Sequence, residues 1–212
     1  PWWMIAPAFF LAVIVGVVGA VGITNIKALD QSDTGLYEHM TVPIAQVGQI
    51  STAFQRMRVN TRDMIIANDP VTIKENSDKI AERQAELDTL SAEFESRIVS
   101  DEMRTAFNEF AEARNNYKGS LTELTALANQ NQDAQAFALM AETGAAGIAA
   151  RAEQDAIAKM VDLKLADGSA KSTANTVQAN SVVTTMIIVV LIGVLMSIGL
   201  GFFLGSTISK PI

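Results

Sequence analysis

Apolar positions along the chain gather in two long runs, and charged positions fill the part between them. Residues 5–23 and 186–204 contain no charged side chain and consist mainly of Ala, Val, Ile, Leu, Gly and Phe. Roughly 20 apolar residues in a helix cross the ~30 Å hydrocarbon core of a membrane. A signal peptide has a shorter apolar core of about 7–15 residues, followed by a cleavage site of small residues. The pattern therefore predicts two transmembrane helices.

Two spans place the residues between them on one side of a membrane and both ends on the other. Lys210, after the second run, favours a cytoplasmic end there under the positive-inside rule. Trp2 and Trp3 suit an aromatic anchor before the first span. We therefore expect a transmembrane helix in residues 1–26, a periplasmic domain over 27–181, a second transmembrane helix in 182–208 and the start of a linker at 209–212.

Between the two runs, apolar residues recur at the spacing of amphipathic helices. They lie seven residues apart in one stretch and mostly three, four or seven apart in two others. This part lacks the alternation of a strand and is rich in the helix formers Ala, Glu, Gln, Leu and Met. The three stripes are Val47, Ile50, Phe54, Met57, Met64 and Ile65; Ile73, Ile80, Leu87 and Phe94; and Met103, Phe107, Phe110, Tyr117, Leu121 and Leu124.

Short polar breaks separate the predicted helices. Asp69 before a proline, Ser100 before two acidic residues and Asp133 after an Asn/Gln-rich loop are the predicted N-caps. Pro43 should loosen the first helix locally, because proline lacks the backbone N–H. Short connections make neighbouring helices antiparallel. The expected fold is all-α, an antiparallel up-down-up-down four-helix bundle continuous with the two transmembrane helices, with bundle helices at about 27–68, 71–98, 101–129 and 134–181.

Composition narrows the classes of function. Charged residues make up 18% of the chain and the mean hydropathy is +0.23, which excludes an ordinary soluble enzyme domain. The net charge of −7 would repel nucleic-acid phosphates, so we expect no nucleic-acid partner. Because the chain has no cysteine, it has no disulfide, thiolate metal site or cysteine nucleophile.

No motif of a catalytic or cofactor-binding site occurs in the sequence. The single histidine, His39, has no second metal-ligating residue at the spacing of a zinc motif. Glycine-rich phosphate loops and nucleophile elbows do not occur. Acidic and basic residues alternate at helical spacing, as on a solvated bundle surface. We therefore expect neither an enzyme nor a cofactor or metal.

Arg58 and Arg62 stand out because they lie one helical turn apart on the first bundle helix. Arg58 also falls beside the apolar stripe, so its guanidinium can point partly inward, where it needs an anionic partner. That partner is either an acid of the bundle, such as Glu153, Asp155 or the nearby Asp63 and Asp69, or the carboxylate of a ligand. The sequence leaves both alternatives open.

Small residues recur every four positions along one face of the second apolar run. Such faces let helices approach closely in lipid. We therefore expect tight helix packing at this face, formed by Gly193, Ser197, Gly201 and Gly205.

The order of these features resembles the N-terminal sensor half of a bacterial methyl-accepting chemotaxis receptor, a four-helix-bundle ligand-binding domain flanked by two transmembrane helices. The last residues resemble the opening of a HAMP linker, whose Ile-x-x-Pro-Leu/Ile element would be Ile208, Pro211 and Ile212. The first bundle helix is similar to the family's pattern at Tyr37, Val42-Pro43-Ile44, Arg58, Asn60, Arg62-Asp63 and Asn68-Asp69.

The resemblance implies a homodimeric chemoreceptor of the bacterial inner membrane. Its ligand would be a small organic anion or a ligand-loaded binding protein, and Arg58 and Arg62 would bind carboxylates across the dimer interface. Displacement of the second span would act through HAMP on a chemotaxis histidine kinase and its coupling protein. The family's ligand-binding threonine on the fourth helix has no clear counterpart in this sequence.

Two other interpretations remain open. Sensor histidine kinases and diguanylate cyclases carry the same input architecture, so the output domain could be an enzyme. A membrane-anchored bundle that senses nothing would be favoured if the two arginines were paired with acids of the bundle itself.

Overall fold

The computed structural model describes residues 5–208, and nearly all of them are helical. No strand occurs within this range, so the prediction of an all-α fold is confirmed. Trp2 and Trp3 of the predicted anchor, and Lys210, Pro211 and Ile212 of the predicted HAMP opening, lie outside the described residues. The elements in chain order are α1 Ile5–Leu36, a π-helical turn Tyr37–Thr41, α2 Val42–Ile66, α3 Pro70–Glu95, α4 Asp101–Asn129, α5 Asp133–Met140 and α6 Ala145–Ile208.

Helices α2, α3, α4 and the first part of α6 form the predicted four-helix bundle. Each helix contacts the next through residues that run in opposite order along the two helices, so successive helices are antiparallel. The contacting pairs are Gln46 with Glu93 for α2 and α3, Phe94 with Phe107 for α3 and α4, and Glu109 with Lys159 and Arg114 with Glu153 for α4 and α6.

The three predicted apolar stripes form the core of this bundle. Every residue of the stripes is buried, with at most 6% of its surface exposed. On α6 the core positions are mostly alanines, including Ala146, Ala150 and Ala156. Burial of this apolar surface is the main force that holds the helices together, at about 25 cal/mol per Å² removed from water.

Two of the three predicted N-caps are confirmed. The side chain of Asp69 accepts a hydrogen bond from the backbone N–H three residues on, at 2.9 Å, and Ser100 does the same at 3.3 Å. These bonds satisfy backbone donors that the first turn of a helix leaves free. The third prediction is wrong, because Gln132 occupies the cap position of α5 and Asp133 is its first helical residue.

The fourth helix, predicted without interruption over 134–181, is broken by a turn. Helix α5 ends at Met140 and α6 begins at Ala145. A Cβ atom on Gly144 would lie 2.2 Å from the backbone oxygen of Leu139, so the chain can turn this sharply only at a glycine. The surrounding alanines favour a helix and conceal this turn in the sequence.

The first bundle helix, predicted over 27–68, is also interrupted. The π-helical turn Tyr37–Thr41 ends two residues before Pro43, which confirms the predicted local loosening. Because Pro43 has no N–H, the carbonyl of His39 four residues earlier loses its usual helical donor. The buried Lys164 of α6 donates to this carbonyl at 3.4 Å, and burial lowers the pKa of its amino group.

The chain divides into two compact units, of which the described parts are residues 37–168 and residues 5–36 with 169–208. In the second unit, α1 and α6 each contain a segment long and apolar enough to cross a membrane. The hydroxyl of Ser32 donates to the side-chain oxygen of Asn175 at 2.6 Å. The domain boundary predicted at 27–181 stays a prediction.

The two apolar segments approach each other closely at one glycine. A Cβ atom on Gly193 would lie 3.1 Å from a methyl carbon of Ile14, a spacing tighter than ordinary contact. Two later glycines of the predicted small-residue face, Gly201 and Gly205, have no such neighbour within 4 Å among the described residues. The predicted close packing is therefore present at Gly193 and not along the whole face.

Candidate functional site

Arg58 lies half-buried on α2, where its guanidinium reaches α6. Its Nη1 donates to Oε1 of Gln154 at 2.8 Å and to Oε1 of Gln55 at 3.3 Å. The guanidinium carbon lies 5.7 Å from the centre of the Phe54 ring, within range of a cation–π interaction. Arg58 is therefore held in place by an aromatic ring and by neutral amides.

Two of the acids that the sequence offers as partners of Arg58 are engaged elsewhere. Glu153 lies beside Arg114, and Asp63 pairs with Arg62 at 3.4 Å. Within residues 5–208 no ion pair joins Arg58 to a carboxylate. The interpretation in which the bundle's own acids neutralise this arginine is therefore not supported.

A cavity of about 190 Å³ lies beside Arg58, lined by residues of α2, α4 and the segment from the end of α5 into α6. It brings together two guanidiniums, those of Arg58 and Arg151, and one carboxylate, Glu142, which pairs with Arg151 at 3.0 Å. Burial raises the pKa of Tyr117 to about 12, so its hydroxyl is a neutral hydrogen-bonding group. The lining residues are Arg58, Tyr117, Met140, Glu142, Ala146, Gly147, Ala150, Arg151 and Gln154.

Arg62, the second predicted ligand residue, does not line this cavity. Its side chain is 60% exposed and its guanidinium contacts the neighbouring Asp63. Arg56, two residues before Arg58, lines a shallow groove on another face of α2 together with Val59 and Asn60. The structure thus separates Arg58 from the other two arginines, and the role of Arg62 stays a prediction.

A second group of charges lies inside the bundle core. Arg114 is 5% exposed and Glu153 is fully buried. Arg114 Nη2 donates to Oδ1 of Asp88 at 2.7 Å and to the backbone oxygen of Gln84 at 2.9 Å, whereas its Nη1 lies 3.6 Å from Oε1 of Glu153. Lys118 Nζ donates to Oδ2 of Asp88 at 3.1 Å. These residues connect α3, α4 and α6.

The two carboxylates of this group differ in their environment. Burial raises the pKa of Glu153 to about 7, and the charge of Arg114 opposes this rise only in part. For Asp88, burial also acts to raise the pKa, but hydrogen bonds from Arg114 and Lys118 outweigh it and lower the pKa below its ordinary value. Near neutral pH, Asp88 is therefore ionised while Glu153 is close to its titration point.

Arg114 and Glu153 contradict the expectation that the bundle's charges lie on a solvated surface. The sequence does indicate that Arg114 is buried, because Arg114 occupies the stripe position between Phe110 and Tyr117 at which the apolar series has no member. Glu153 is harder to detect, since the alanine-rich stretch around it gives no clear apolar stripe.

His39 lies in the π-helical turn with an exposed side chain. Over the described part of the chain, no three His, Asp or Glu side chains are grouped so as to hold a metal ion.

The model of a family described as a four helix bundle sensory module for signal transduction matches residues 4–179, which include α1, the bundle and the candidate cavity. None of the curated proteins matches the chain.

Proposed function

Because this chain belongs to the family of four-helix-bundle sensory modules for signal transduction, we propose that it is the input half of a transmembrane chemoreceptor. Its family is one of sensors and not of catalysts. Residues 27–181 form a periplasmic domain of a homodimer in the bacterial inner membrane. The second span, 182–208, and a HAMP linker opening at 209–212 pass the signal to a chemotaxis histidine kinase and its coupling protein.

The observation that carries this proposal is the guanidinium of Arg58 at a cavity, with amides and an aromatic ring as its only partners among the described residues. A guanidinium pairs with a carboxylate through two parallel, charge-assisted hydrogen bonds, which are stronger than bonds to a neutral amide. A carboxylate ligand therefore gains by replacing Gln154 at Arg58. A cavity of about 190 Å³ suits a small organic anion.

Binding in this cavity would act on the contact between two helices. Arg58 belongs to α2, whereas Gln154 and Arg151 belong to α6. An anion that binds Arg58 replaces its hydrogen bond to Gln154 and makes new contacts to Arg151. A ligand shifts such an equilibrium only by its difference in affinity for the two arrangements, and this exchange of partners supplies that difference.

Arg62 is the second proposed ligand residue and would act across the homodimer interface. Its exposure supports this role, because an exposed ion pair with Asp63 contributes little and is easily exchanged. A site within one subunit needs Arg58 alone, whereas a site between subunits needs both arginines.

Calorimetric titration of the 212-residue chain in lipid nanodiscs tests the proposal. The probes are acetate, succinate, malate, citrate and benzoate. We expect at least one of them to bind, and Arg58→Ala to weaken that binding by about 10- to 100-fold, the effect of losing about 1.5–3 kcal/mol of charged hydrogen bonding. A similar loss in Arg62→Ala would assign the site to the dimer interface.

Arg56→Ala is the matched control, since Arg56 lies on the same helix but outside the cavity. It should bind the anion as the unmodified chain does. Direct sensing of an anion is contradicted if none of the probes binds, or if Arg56→Ala and Arg58→Ala bind equally well. Sensing through a ligand-loaded binding protein is then the form of the proposal that remains.

A further inference from the structure

Glu153 of α6 is a carboxylate inside the bundle core whose charge is compensated only in part. Its side chain is fully buried. Among the described residues, neither of its carboxylate oxygens takes part in a hydrogen bond. Arg114 Nη1 lies 3.6 Å away, beyond hydrogen-bonding distance. A buried carboxylate without hydrogen bonds strongly favours its neutral, protonated form.

Arg114 is bound to α3 more firmly than to Glu153. Its Nε and Nη2 both donate to Oδ1 of Asp88, at 3.3 and 2.7 Å, and Nη2 also donates to the backbone oxygen of Gln84. Nη1, the nitrogen nearest Glu153, has no hydrogen-bond partner within the described residues. The guanidinium therefore attracts Glu153 through its charge without a formed bond.

Charged groups of α4 act on Glu153 directly, and groups of α3 and α2 are linked to it through side chains of α4. Burial is the largest influence on its pKa and raises it to about 7, while the positive charges of Arg114 and Lys118 act against this rise. Arg114 and Lys118 of α4 act on Glu153 itself, and both also bind Asp88 of α3. The pKa of Tyr117, also on α4, is raised by the charge of Glu153 and lowered by that of Arg58 on α2.

Protonation of Glu153 changes which helices attract one another. While Glu153 is ionised, the charge of Arg114 draws α6 towards α4. After protonation that attraction disappears, and the charge of Arg114 is shared with Asp88 alone. The connection between α3 and α4 persists in both states, since three hydrogen bonds form it. The two states thus differ in how firmly α6 is attached to α4.

We propose that Glu153 is a proton-binding site through which the bundle responds to external pH in the neutral range. It is a different site from the anion cavity, because neither Glu153 nor Arg114 lines that cavity, although Glu153 acts on Tyr117, which does. The protonated and ionised states are two arrangements of the same helices, which is the requirement for a switch.

Infrared titration of the 212-residue chain in lipid nanodiscs tests the site without any ligand. A protonated carboxylic acid has a carbonyl stretching band that is separate from the bands of carboxylates. We expect a component of this band that titrates near pH 7, above the range in which exposed carboxyl groups titrate, and that is absent from Glu153→Gln. Glu109→Gln is the matched control, because Glu109 is half exposed and paired with Lys159.

Thermal unfolding over the same pH range gives a second readout. Since the raised pKa lets the folded chain keep a proton that the unfolded chain releases above about pH 4.5, stability falls as the pH rises towards 7 and levels off beyond it. The melting temperature of the unmodified chain and of Glu109→Gln should fall more steeply than that of Glu153→Gln.

Equal slopes in all three proteins, or an unmodified chain without a band that titrates near neutral pH, would overturn the proposal. The infrared titration of the unmodified chain gives its answer even if Glu153→Gln fails to fold. In that event Glu153→Asp, which keeps the acid, should shift the band, and an unshifted band would assign it to another residue.

Discussion

At the scale of single residues, Arg114 links three helices through one side chain. It belongs to α4, donates to Asp88 and Gln84 of α3, and lies beside Glu153 of α6. Removing one member of a buried charged group costs more than the group contributes as a whole, because the remaining charge is left without compensation.

We therefore expect Arg114→Met to destabilise the bundle by about 3–5 kcal/mol. The loss of stability should be larger at pH 8 than at pH 5. At pH 5 Glu153 is protonated and carries no charge that Arg114 would have to compensate. Chemical unfolding of the chain in nanodiscs at the two pH values measures both quantities.

Arg104→Ala is the control for this substitution. Arg104 pairs with Glu95 at 2.7 Å, but both side chains are at least 41% exposed, and such surface pairs contribute about 0–1 kcal/mol. A cost for Arg114→Met as small as that of Arg104→Ala would show that the buried group does not hold the helices together.

The sequence correctly predicts the environment of a single residue where its side-chain chemistry suits its position in the helix. Every apolar stripe residue is buried, and Asp69 and Ser100 cap their helices as their side-chain chemistry requires. Arg114 was not predicted because an arginine is usually exposed, and its burial depends on acceptors that α3 brings from 26 and 30 residues away. Such long-range compensation is not visible in local periodicity.

At the scale of elements, the turn between α5 and α6 shapes the candidate cavity. Met140, Glu142, Ala146 and Gly147 line the cavity and lie in or next to this turn. This turn requires a glycine at position 144, because a Cβ atom on Gly144 would come within 2.2 Å of the backbone oxygen of Leu139.

Gly144→Ala should therefore destabilise the chain by about 1–3 kcal/mol, the cost of local backbone strain, and weaken anion binding as well. Gly119→Ala is the matched control, because Gly119 lies in the exposed part of α4 with no neighbour near its Cβ position. It should stabilise the chain by about 0.5–1 kcal/mol, since alanine favours a helix. Thermal unfolding and calorimetric titration of both variants measure these effects, and a neutral Gly144→Ala would contradict the account of the turn.

The sequence predicts the elements except where two long helices are interrupted. The four bundle helices follow from the spacing of apolar residues and from short polar breaks. Pro43 indicates the disturbance near α2, but the exact form of a π-helical turn depends on Lys164, which lies 125 residues from the carbonyl it binds. The turn at Gly144 was missed because helix propensity alone favours a continuous helix through its alanine-rich surroundings.

At the scale of the whole molecule, the pattern of apolar runs was the most informative feature. It predicts the bundle and two segments that could cross a membrane, and the family match over residues 4–179 agrees with the sensory architecture. The candidate cavity could be predicted only through Arg58. Its other charged residues, Arg151 and Glu142, meet Arg58 through the turn that the sequence concealed.

The measurement that tests the central claim most directly is kinase control by a hybrid receptor. Residues 1–212 are joined through a HAMP domain to the cytoplasmic part of a chemoreceptor whose kinase regulation is known, and kinase activity is recorded while each anion of the calorimetric panel is added. We predict that at least one anion changes the kinase activity of the hybrid and of its Arg56→Ala variant, and leaves the activity of Arg58→Ala unchanged. Kinase activity that no anion alters, or an equal response in Arg58→Ala, would contradict the account of this chain as a sensor that binds its ligand at Arg58.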